Sequence, residues 1–426
     1  MAIALMSAPL CSFAVSGHVF EWSGDKDAAL SVPAANSAFT QISCGFSHTV
    51  ALNENGGVEA WGANDQGQAA VPAVYESGVK AVAAGGFHSL VLLNNGLVKG
   101  FGENADGQLN PPKQAARKVV AVSAGLFHSL ALDVNHNVYA WGYNGFGQGT
   151  VPSRLYQNVS AISAGAMHNL ALTTWGSVDA WGDNSTGQLF IPEEATHDIV
   201  AIAAGYFHNL ALTADGEVIA WGDNSYKQCK VPGDAKKNVI AIAAGEKYSM
   251  ALRSDGKVVV WGNHGPDKID APKELEGRVV SMSIGGEDQI AYLVSSTTDL
   301  DQDGMVDWWE MSNGLSPDDD DKDSDSDGDG YTDYEEYLAD SNPSDEFSHL
   351  SVSAGMDTDG QVVLFSPASS DRRYQLEYTT DISSGEWKPV PGKSSITVSG
   401  AETFGRIQVA ANTDGFVLYR LRAQLP

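Results

Sequence analysis

A unit of 40 residues recurs through the first 295 residues of the chain. Glycine follows an aromatic residue at that interval, at positions Trp61, Phe101, Trp141, Trp181, Trp221 and Trp261. A second landmark, Gly-x-x-His, recurs with the same spacing at His48, His88, His128, His168 and His208, and becomes Gly-x-x-Tyr248 and Gly-x-x-Asp288 in the last units. A regular period of this length predicts an array of similar small modules instead of one ordinary core.

Each unit has the pattern of a small antiparallel sheet. Around His208, residues 200–204 and 208–213 are short apolar segments, Asp215-Gly216 is a hairpin turn, and residues 218–221 form the return strand. The units contain no helical periodicity. Modules of about 40 residues with this pattern are typical of propeller blades.

The two ends of the array complement each other. Residues 18–22 contain only a return strand, whereas residues 279–294 lack the aromatic-glycine landmark. Six whole units and two complementary halves predict a seven-bladed β-propeller whose last blade contains both ends of the array. Such closure removes exposed sheet edges.

The pattern Gly-x-x-His-x-Leu-Ala-Leu, Val-x-Ala-Trp-Gly-x-Asn and Gly-Gln-x-x-Val-Pro resembles the regulator of chromosome condensation repeat over about residues 17–295. Within this propeller family it is most similar to the secreted bacterial beta-lactamase-inhibitory protein II, in residues 221–228 and 245–248. The resemblance implies that loops on one face bind a partner protein. It does not imply beta-lactamase as the partner, because the contact positions differ, and the scaffold serves many functions.

The recurring histidine has a structural and a chemical interpretation. A zinc site needs three or four ligands at about 2.0–2.1 Å from one ion. One histidine per blade cannot converge in this way. We therefore expect His208 and its equivalents to lie at contacts between blades.

The two residues before each histidine vary between units, and their turns should lie together at one end of the propeller. Exposed aromatic residues on a rigid scaffold commonly anchor protein interfaces. The predicted partner-binding residues are Phe46, Phe87, Phe127, Met167, Tyr206 and Phe207 in these turns, with Tyr143, Phe146 and Tyr226 in the loops after Trp-Gly. The alternative is that these rings pack beneath neighbouring loops.

An acidic segment follows the repeats. Between Asp299 and Glu346 the chain has 19 acidic residues and a single lysine, Lys322. Residues 299–310 and 325–336 have the spacing of EF-hand calcium loops. The predicted calcium ligands are Asp299, Asp301, Asp303, Met305 through its carbonyl, Asp307 and Glu310, and then Asp325, Asp327, Asp329, Tyr331 through its carbonyl, Asp333 and Glu336.

Only the helices that leave these loops are predicted, because residues 295–298 and 316–321 are poor helix formers. The segment, residues 297–346, resembles thrombospondin type 3-like calcium segments and is expected to act as a calcium-braced spacer. The alternative is a solvated acidic linker.

The remaining segments precede the repeats and follow the acidic segment. Residues 347–426 contain alternating stretches that predict a small β-sandwich. Residues 1–16 are apolar and predict a signal peptide without its basic region, so a secreted or cell-surface location is expected. A net charge of −29 argues against nucleic-acid partners, and no apolar run is long enough to insert into a membrane.

No catalytic constellation stands out in the sequence. We therefore predict an exported, monomeric, non-enzymatic protein whose propeller, residues 17–296, binds a protein ligand. The alternatives are a hydrolase or lyase that uses the loop face as a substrate cleft, and a purely structural surface protein.

Overall fold

The computed structural model describes residues 17–22, 38–115, 118–263, 275, 277–286, 290–295, 298–328, 331–339, 343–344 and, as strands only, 351–357, 360–366, 373–379, 388–389, 396–397, 405–409 and 418–424. The predicted signal peptide lies outside these residues. The chain divides into two compact units, Met1–Ser296 and Thr297–Pro426.

The first unit is built from short strands. They are β1 (Gly17–Trp22), β2 (Phe39–Cys44), β3 (His48–Asn53), β4 (Val58–Gly62), β5 (Val79–Ala84), β6 (His88–Leu93), β7 (Val98–Gly102), β8 (Val119–Ala124), β9 (His128–Asp133), β10 (Val138–Gly142), β11 (Val159–Ala164), β12 (His168–Thr173), β13 (Val178–Gly182), β14 (Ile199–Ala204), β15 (His208–Thr213), β16 (Val218–Gly222), β17 (Val239–Ala244), β18 (Tyr248–Arg253), β19 (Val258–Gly262), β20 (Val279–Ile284) and β21 (Ile290–Ser295). Single turns of 3-10 helix precede β5, β8, β11, β14 and β17.

Each complete repeat forms an antiparallel three-stranded sheet. In the repeat of His208, β15 is the central strand and pairs with β14 and β16, with Asn209 opposite Trp221. The hairpin between β15 and β16 turns at Gly216, whose φ of 81° favours glycine. Residues 208–212 of β15 are all buried, because both faces of a blade pack against its neighbours.

The first and last strands of the array pair along their whole length. β1 lies antiparallel to β21, from Gly17 opposite Ser295 to Trp22 opposite Ile290. This pairing confirms the predicted meeting of the two ends. The described residues of the first unit nevertheless form six sheets, and not seven separate blades. Gly17 also pairs with Phe39 and merges two groups of three strands into one sheet in the order β20-β21-β1-β2-β3-β4.

The core of the first unit lies between neighbouring sheets. Leu170 and Leu172 of one repeat pack with Ile202, Ala211 and Trp221 of the next. The indole of Trp221 also donates a hydrogen bond of 3.0 Å to the carbonyl of Gln188 in the preceding repeat. A buried tryptophan therefore fills the interface and keeps its N–H group paired.

The second unit begins with two short helices, α1 (Asp307–Asn313) and α2 (Asp333–Ala339). α1 ends at Gly314, which has the left-handed conformation that closes helices. Both are the helices that leave the predicted calcium loops. None of the described helices is long and apolar enough to cross a membrane.

The strands of the second unit form two sheets. They are β22 (Ser351–Asp357), β23 (Gly360–Ser366), β24 (Arg373–Thr379), β25 (Lys388–Pro389), β26 (Ile396–Thr397), β27 (Gly405–Val409) and β28 (Leu418–Gln424). One sheet has the order β22-β23-β27, and β24 pairs with β25, β26 and β28 in the other. A sandwich of these two sheets remains a prediction.

Candidate partner-binding face and candidate calcium centre

The recurring histidines join adjacent repeats. His208 Nε2 lies 2.9 Å from the hydroxyl oxygen of Ser249 in the next repeat, and that hydroxyl donates to the carbonyl of Gln228 at 2.8 Å. His128 Nε2 lies 2.7 Å from the amide oxygen of Asn169. Because that oxygen can only accept, Nε2 carries the proton. The same contact spans every pair from His48 to His208, at 2.7 to 3.0 Å.

These histidines are structural, as the sequence predicts. All five are completely buried. Burial lowers the pKa of His88 and His208 to about 3, and of His48, His128 and His168 to about 4. They are therefore neutral at pH 7, and none of them belongs to a group of possible metal ligands among the described residues.

An opening in the first unit is lined by five glycines of the landmark, Gly45, Gly85, Gly125, Gly165 and Gly285, and by Ala204, Tyr206 and Ala244 from the other two repeats. A methyl group on Gly205 would lie 2.5 Å from the carbonyl oxygen of Gly245 and 2.6 Å from the imidazole of His208. Only glycine permits this close approach of neighbouring repeats. Backbone hydrogen bonds link the repeats there, including a 3.0 Å bond from Gly286 of the last unit to Gly45 of the first.

Six aromatic side chains contact one another in series, four from the variable turns and two from the loop after Trp141-Gly142, and Tyr206 among them lines the opening. Tyr206 stacks on Phe46 with ring centroids 6.0 Å apart, and Phe46 lies 5.8 Å from Phe87. The series continues from Phe87 to Phe127 at 5.8 Å, to Tyr143 at 6.5 Å and to Phe146 at 6.4 Å. We call these six residues the aromatic track.

The absence of a side chain at Gly286 leaves room for the track. A methyl group there would lie 2.6 Å from the ring of Phe46 and 2.7 Å from the hydroxyl of Tyr206. Tyr206 and Phe46 come from the fifth and first complete repeats, so the track joins repeats that are not consecutive in the sequence. Five of its rings are half-buried against one another, and Phe146 is 51% exposed.

The structure thus brings together six of the nine predicted partner-binding residues. The rings pack on each other and still leave surface open, and partner binding at these residues stays a prediction. Phe207 and Tyr226 are exposed, and Met167 is half-buried. Lys247, which the sequence did not single out, lies 5.6 Å from the centre of the Tyr226 ring and 3.2 Å from a carboxylate oxygen of Glu246.

The first acidic loop brings carboxylates together. One carboxylate oxygen each of Asp299, Asp301 and Asp303 lies within 4.8 Å of the others. Each of these aspartates accepts a backbone N–H with one oxygen, at 2.8 to 3.3 Å. Their other oxygens, Oδ1 of Asp299 and Oδ2 of Asp301 and Asp303, are buried without a hydrogen-bond partner.

Glu310 and Asp321 extend this cluster. Asp303, Glu310 and Asp321 each place an oxygen within 4.8 Å of the other two. Glu310 is completely buried, and neither of its carboxylate oxygens has a partner. Burial, together with the neighbouring carboxylates, raises the pKa of Glu310 to about 9 and of Asp321 to about 6. Buried carboxylates without partners are costly, and oxygen ligands at this spacing fit a calcium ion.

Asp307 and Asp333 occupy the ninth position of the two loops and brace them. The carboxylate of Asp307 accepts the backbone N–H of Leu300 at 2.9 Å. The equivalent Asp333 accepts the backbone N–H and the hydroxyl of Ser326 at 3.0 and 2.8 Å. Both carboxylates therefore fix the start of their loop.

The other predicted ligands are distributed as follows. The side chain of Met305 is buried beside Trp309. In the second loop Glu336 is buried, whereas Asp325 and Tyr331 are exposed and Asp327 is half-buried. Asp329 lies outside the described residues. Within the part of the chain that the structure describes, the groups of possible ligands include none from the second loop.

Comparison with known families identifies the repeats. The Regulator of chromosome condensation (RCC1) repeat matches residues 39–68, 79–108, 119–148, 159–188, 199–228 and 239–265. These are RCC1-type repeats. No curated protein matches the chain.

Solved structures show the same fold. The chain is similar to yeast RCC1 (Prp20) in its structure with Kap60, with 19% identity and a TM-score of 0.53, over 74% of this chain and 93% of that one. A second structure, of Prp20p from Saccharomyces cerevisiae, has 20% identity and a TM-score of 0.54, over 72% of this chain and 96% of that one. The ectodomain of the Arabidopsis thaliana receptor kinase ACR4 has 20% identity and a TM-score of 0.50, over 60% of this chain and 96% of that one. At these identities the likeness concerns the fold.

Proposed function

We propose that this protein is an exported, non-enzymatic binding protein whose RCC1-type propeller holds a protein ligand on the aromatic track. The continuity of the track carries the proposal. Its six rings come from four repeats, contact one another in an unbroken series and remain partly open to solvent. Rigid aromatic clusters of this kind supply binding energy at small entropic cost.

The solved relatives support protein binding as the class of function. Yeast Prp20 was solved bound to Kap60, and Gsp1p and histones are named as its binding partners. The likeness to Prp20 extends only to the fold, so it does not point to any of these proteins as the partner here. The net charge of −29 also disfavours partners as acidic as nucleic acids.

A non-enzymatic role is supported by the state of the histidines. A general base must reach its substrate and titrate near the working pH. The five recurring histidines are buried, neutral and hydrogen-bonded between repeats. They are therefore unavailable to a substrate on the loop face.

We also propose that the propeller has seven blades. The group β20-β21-β1 has the same three-stranded antiparallel arrangement as a complete repeat. Gly285 of this group lines the same opening as Gly45, Gly85, Gly125 and Gly165 of the complete repeats. Both observations support counting the six-stranded sheet as two blades.

The acidic segment is proposed to bind calcium, at least at its first loop. The support is the set of buried carboxylate oxygens without partners at Asp299, Asp301, Asp303 and Glu310. Calcium would neutralise their repulsion and stiffen the segment. Extracellular calcium sites of about 10⁻⁴ to 10⁻³ M affinity are common, which agrees with the proposed export.

Capture from culture fluid and cell-surface extract tests the binding role. The full-length protein is immobilised beside a Phe87→Ala/Phe127→Ala variant and a Trp175→Ala control. Trp175 is an 83% exposed aromatic residue in the β12–β13 hairpin, at the opposite end of the strands from the track. We expect a captured protein to be lost with the double variant and kept with the control. Equal capture by all three would contradict the proposal.

A further inference from the structure

We infer that Asp321, which lies between the two acidic loops, completes the first calcium site as a ligand from outside the twelve-residue loop. This inference rests on the proposed calcium binding. It also predicts a physical link between the two loops, because one residue serves the first loop and leads into the second.

The position of Asp321 supports a role as a ligand. One of its carboxylate oxygens lies within 4.8 Å of ligand oxygens of both Asp303 and Glu310. Its Oδ1 atom is buried and has no hydrogen-bond partner.

Glu310 provides independent evidence that a cation belongs in this cluster. Its side chain is completely buried, and both of its oxygens lie without a partner. An isolated buried carboxylate is strongly disfavoured. Lys322, the basic residue nearest to Glu310 in the sequence, pairs instead with Asp320 on the surface. A divalent cation between Asp303, Glu310 and Asp321 would satisfy all three.

The local chain explains why a ligand from outside the loop is needed. Calcium takes six to eight oxygen ligands. In the first loop the carboxylate of Asp307 already accepts the N–H of Leu300. Asp321 can supply the additional carboxylate from the opposite side of the loop.

Asp321 also fixes the start of the second loop. Its carbonyl accepts the N–H of Ser324 at 2.7 Å, and the carbonyl of Ser324 accepts the N–H of Asp333 at 2.8 Å. A cation that holds Asp321 would therefore restrain the residues from which the second loop begins. The two loops would act as one calcium-dependent structure.

The test compares two neighbouring aspartates. Calcium binding to the full-length chain is measured by isothermal titration calorimetry for the unaltered protein, Asp321→Asn and Asp320→Asn. Each measurement is repeated with Asp325→Ala/Asp327→Ala, which removes two predicted ligands of the second loop. Asp320→Asn removes the same charge, and Asp320 also contributes to the field at Asp303, but its carboxylate pairs with Lys322 at the surface.

We expect Asp321→Asn to raise the dissociation constant of the first site at least about 10-fold, which corresponds to about 1.4 kcal/mol. Asp320→Asn should change it less than about 3-fold. Because Asp321→Asn relieves repulsion without changing shape, the calcium-free protein should keep its melting temperature. Equal effects of the two substitutions would overturn the role of Asp321 and leave calcium binding intact. An unaltered protein that binds no calcium would overturn both.

Discussion

The buried histidines predict that the propeller loses stability in mild acid, with a separate contribution from each histidine. His208 is neutral and completely buried, and its pKa is lowered to about 3 by desolvation. In the unfolded chain its pKa is about 6.5. The unfolded state therefore takes up protons first as the pH falls. The stabilisation is fully present above pH 6.5 and is lost progressively down to about pH 3.

The magnitude follows from these two values. Between pH 7 and pH 5 each such histidine removes about 2 kcal/mol from the free energy of unfolding. Five of them would remove about 10 kcal/mol, which is comparable with the whole stability of many domains. The substitution His208→Gln eliminates one of the five titrating groups, while the glutamine amide can still donate to Ser249.

The assay is urea unfolding at pH 7 and pH 5, followed by tryptophan fluorescence. Trp221 and its equivalents are buried between blades and report on the propeller. We expect the loss of unfolding free energy between the two pH values to be about 2 kcal/mol smaller in His208→Gln than in the unaltered protein. Carboxylates contribute equally to both proteins and cancel in this difference.

The control is the same substitution at His197, whose side chain is 69% exposed. His197→Gln should leave the pH dependence unchanged. If His208→Gln loses as much stability between pH 7 and pH 5 as the unaltered protein, the assignment of a depressed pKa to the histidine contacts is refuted.

Three further predictions concern the scaffold and the calcium segment. Gly205→Ala should lower the free energy of unfolding by at least about 2 kcal/mol, because the added methyl group meets the Gly245 carbonyl. Gly233→Ala, whose methyl group would have no atom nearby, should change it little in the same urea titration. Trp221→Phe should cost about 1 to 3 kcal/mol, because the smaller ring leaves a cavity between blades and loses the hydrogen bond to the Gln188 carbonyl, which still accepts the amide of Asn209; an unchanged midpoint would argue against this packing. Removal of calcium with a chelator should lower the melting temperature of the α1 and α2 segment in a calorimetric scan, and an identical scan would count against the calcium loops.

The repeat spacing was sufficient to predict the sheets of the propeller. The hairpin at Gly216 and the apolar central strand β15 follow from local sequence, and so does the complementarity of β1 and β21. The fusion of two blades was not predictable, because it depends on one backbone pair between Gly17 and Phe39. The count of six sheets results from that pair.

The details of the two candidate sites depend on residues that are distant in the sequence, so they were harder to predict from it. Tyr206 and Phe46 are 160 positions apart in the numbering, and only closure of the ring brings their side chains into contact. Asp321 lies outside the twelve-residue spacing that identifies the first loop, so no local pattern indicates it. The sequence predicted which residue types would form each site, but not which of them would meet.

The pairing of β1 with β21 sets the earliest time at which the first unit can complete its fold during synthesis. β1 begins at Gly17 and its partner ends at Ser295, so the ring cannot close until almost 300 residues have been synthesised. At about 5 to 20 residues per second, ribosomes need tens of seconds to reach that point. During this interval the edge of β1 lacks its neighbour, β21, so the sheet that joins the two ends of the array stays incomplete until the last repeat has been made.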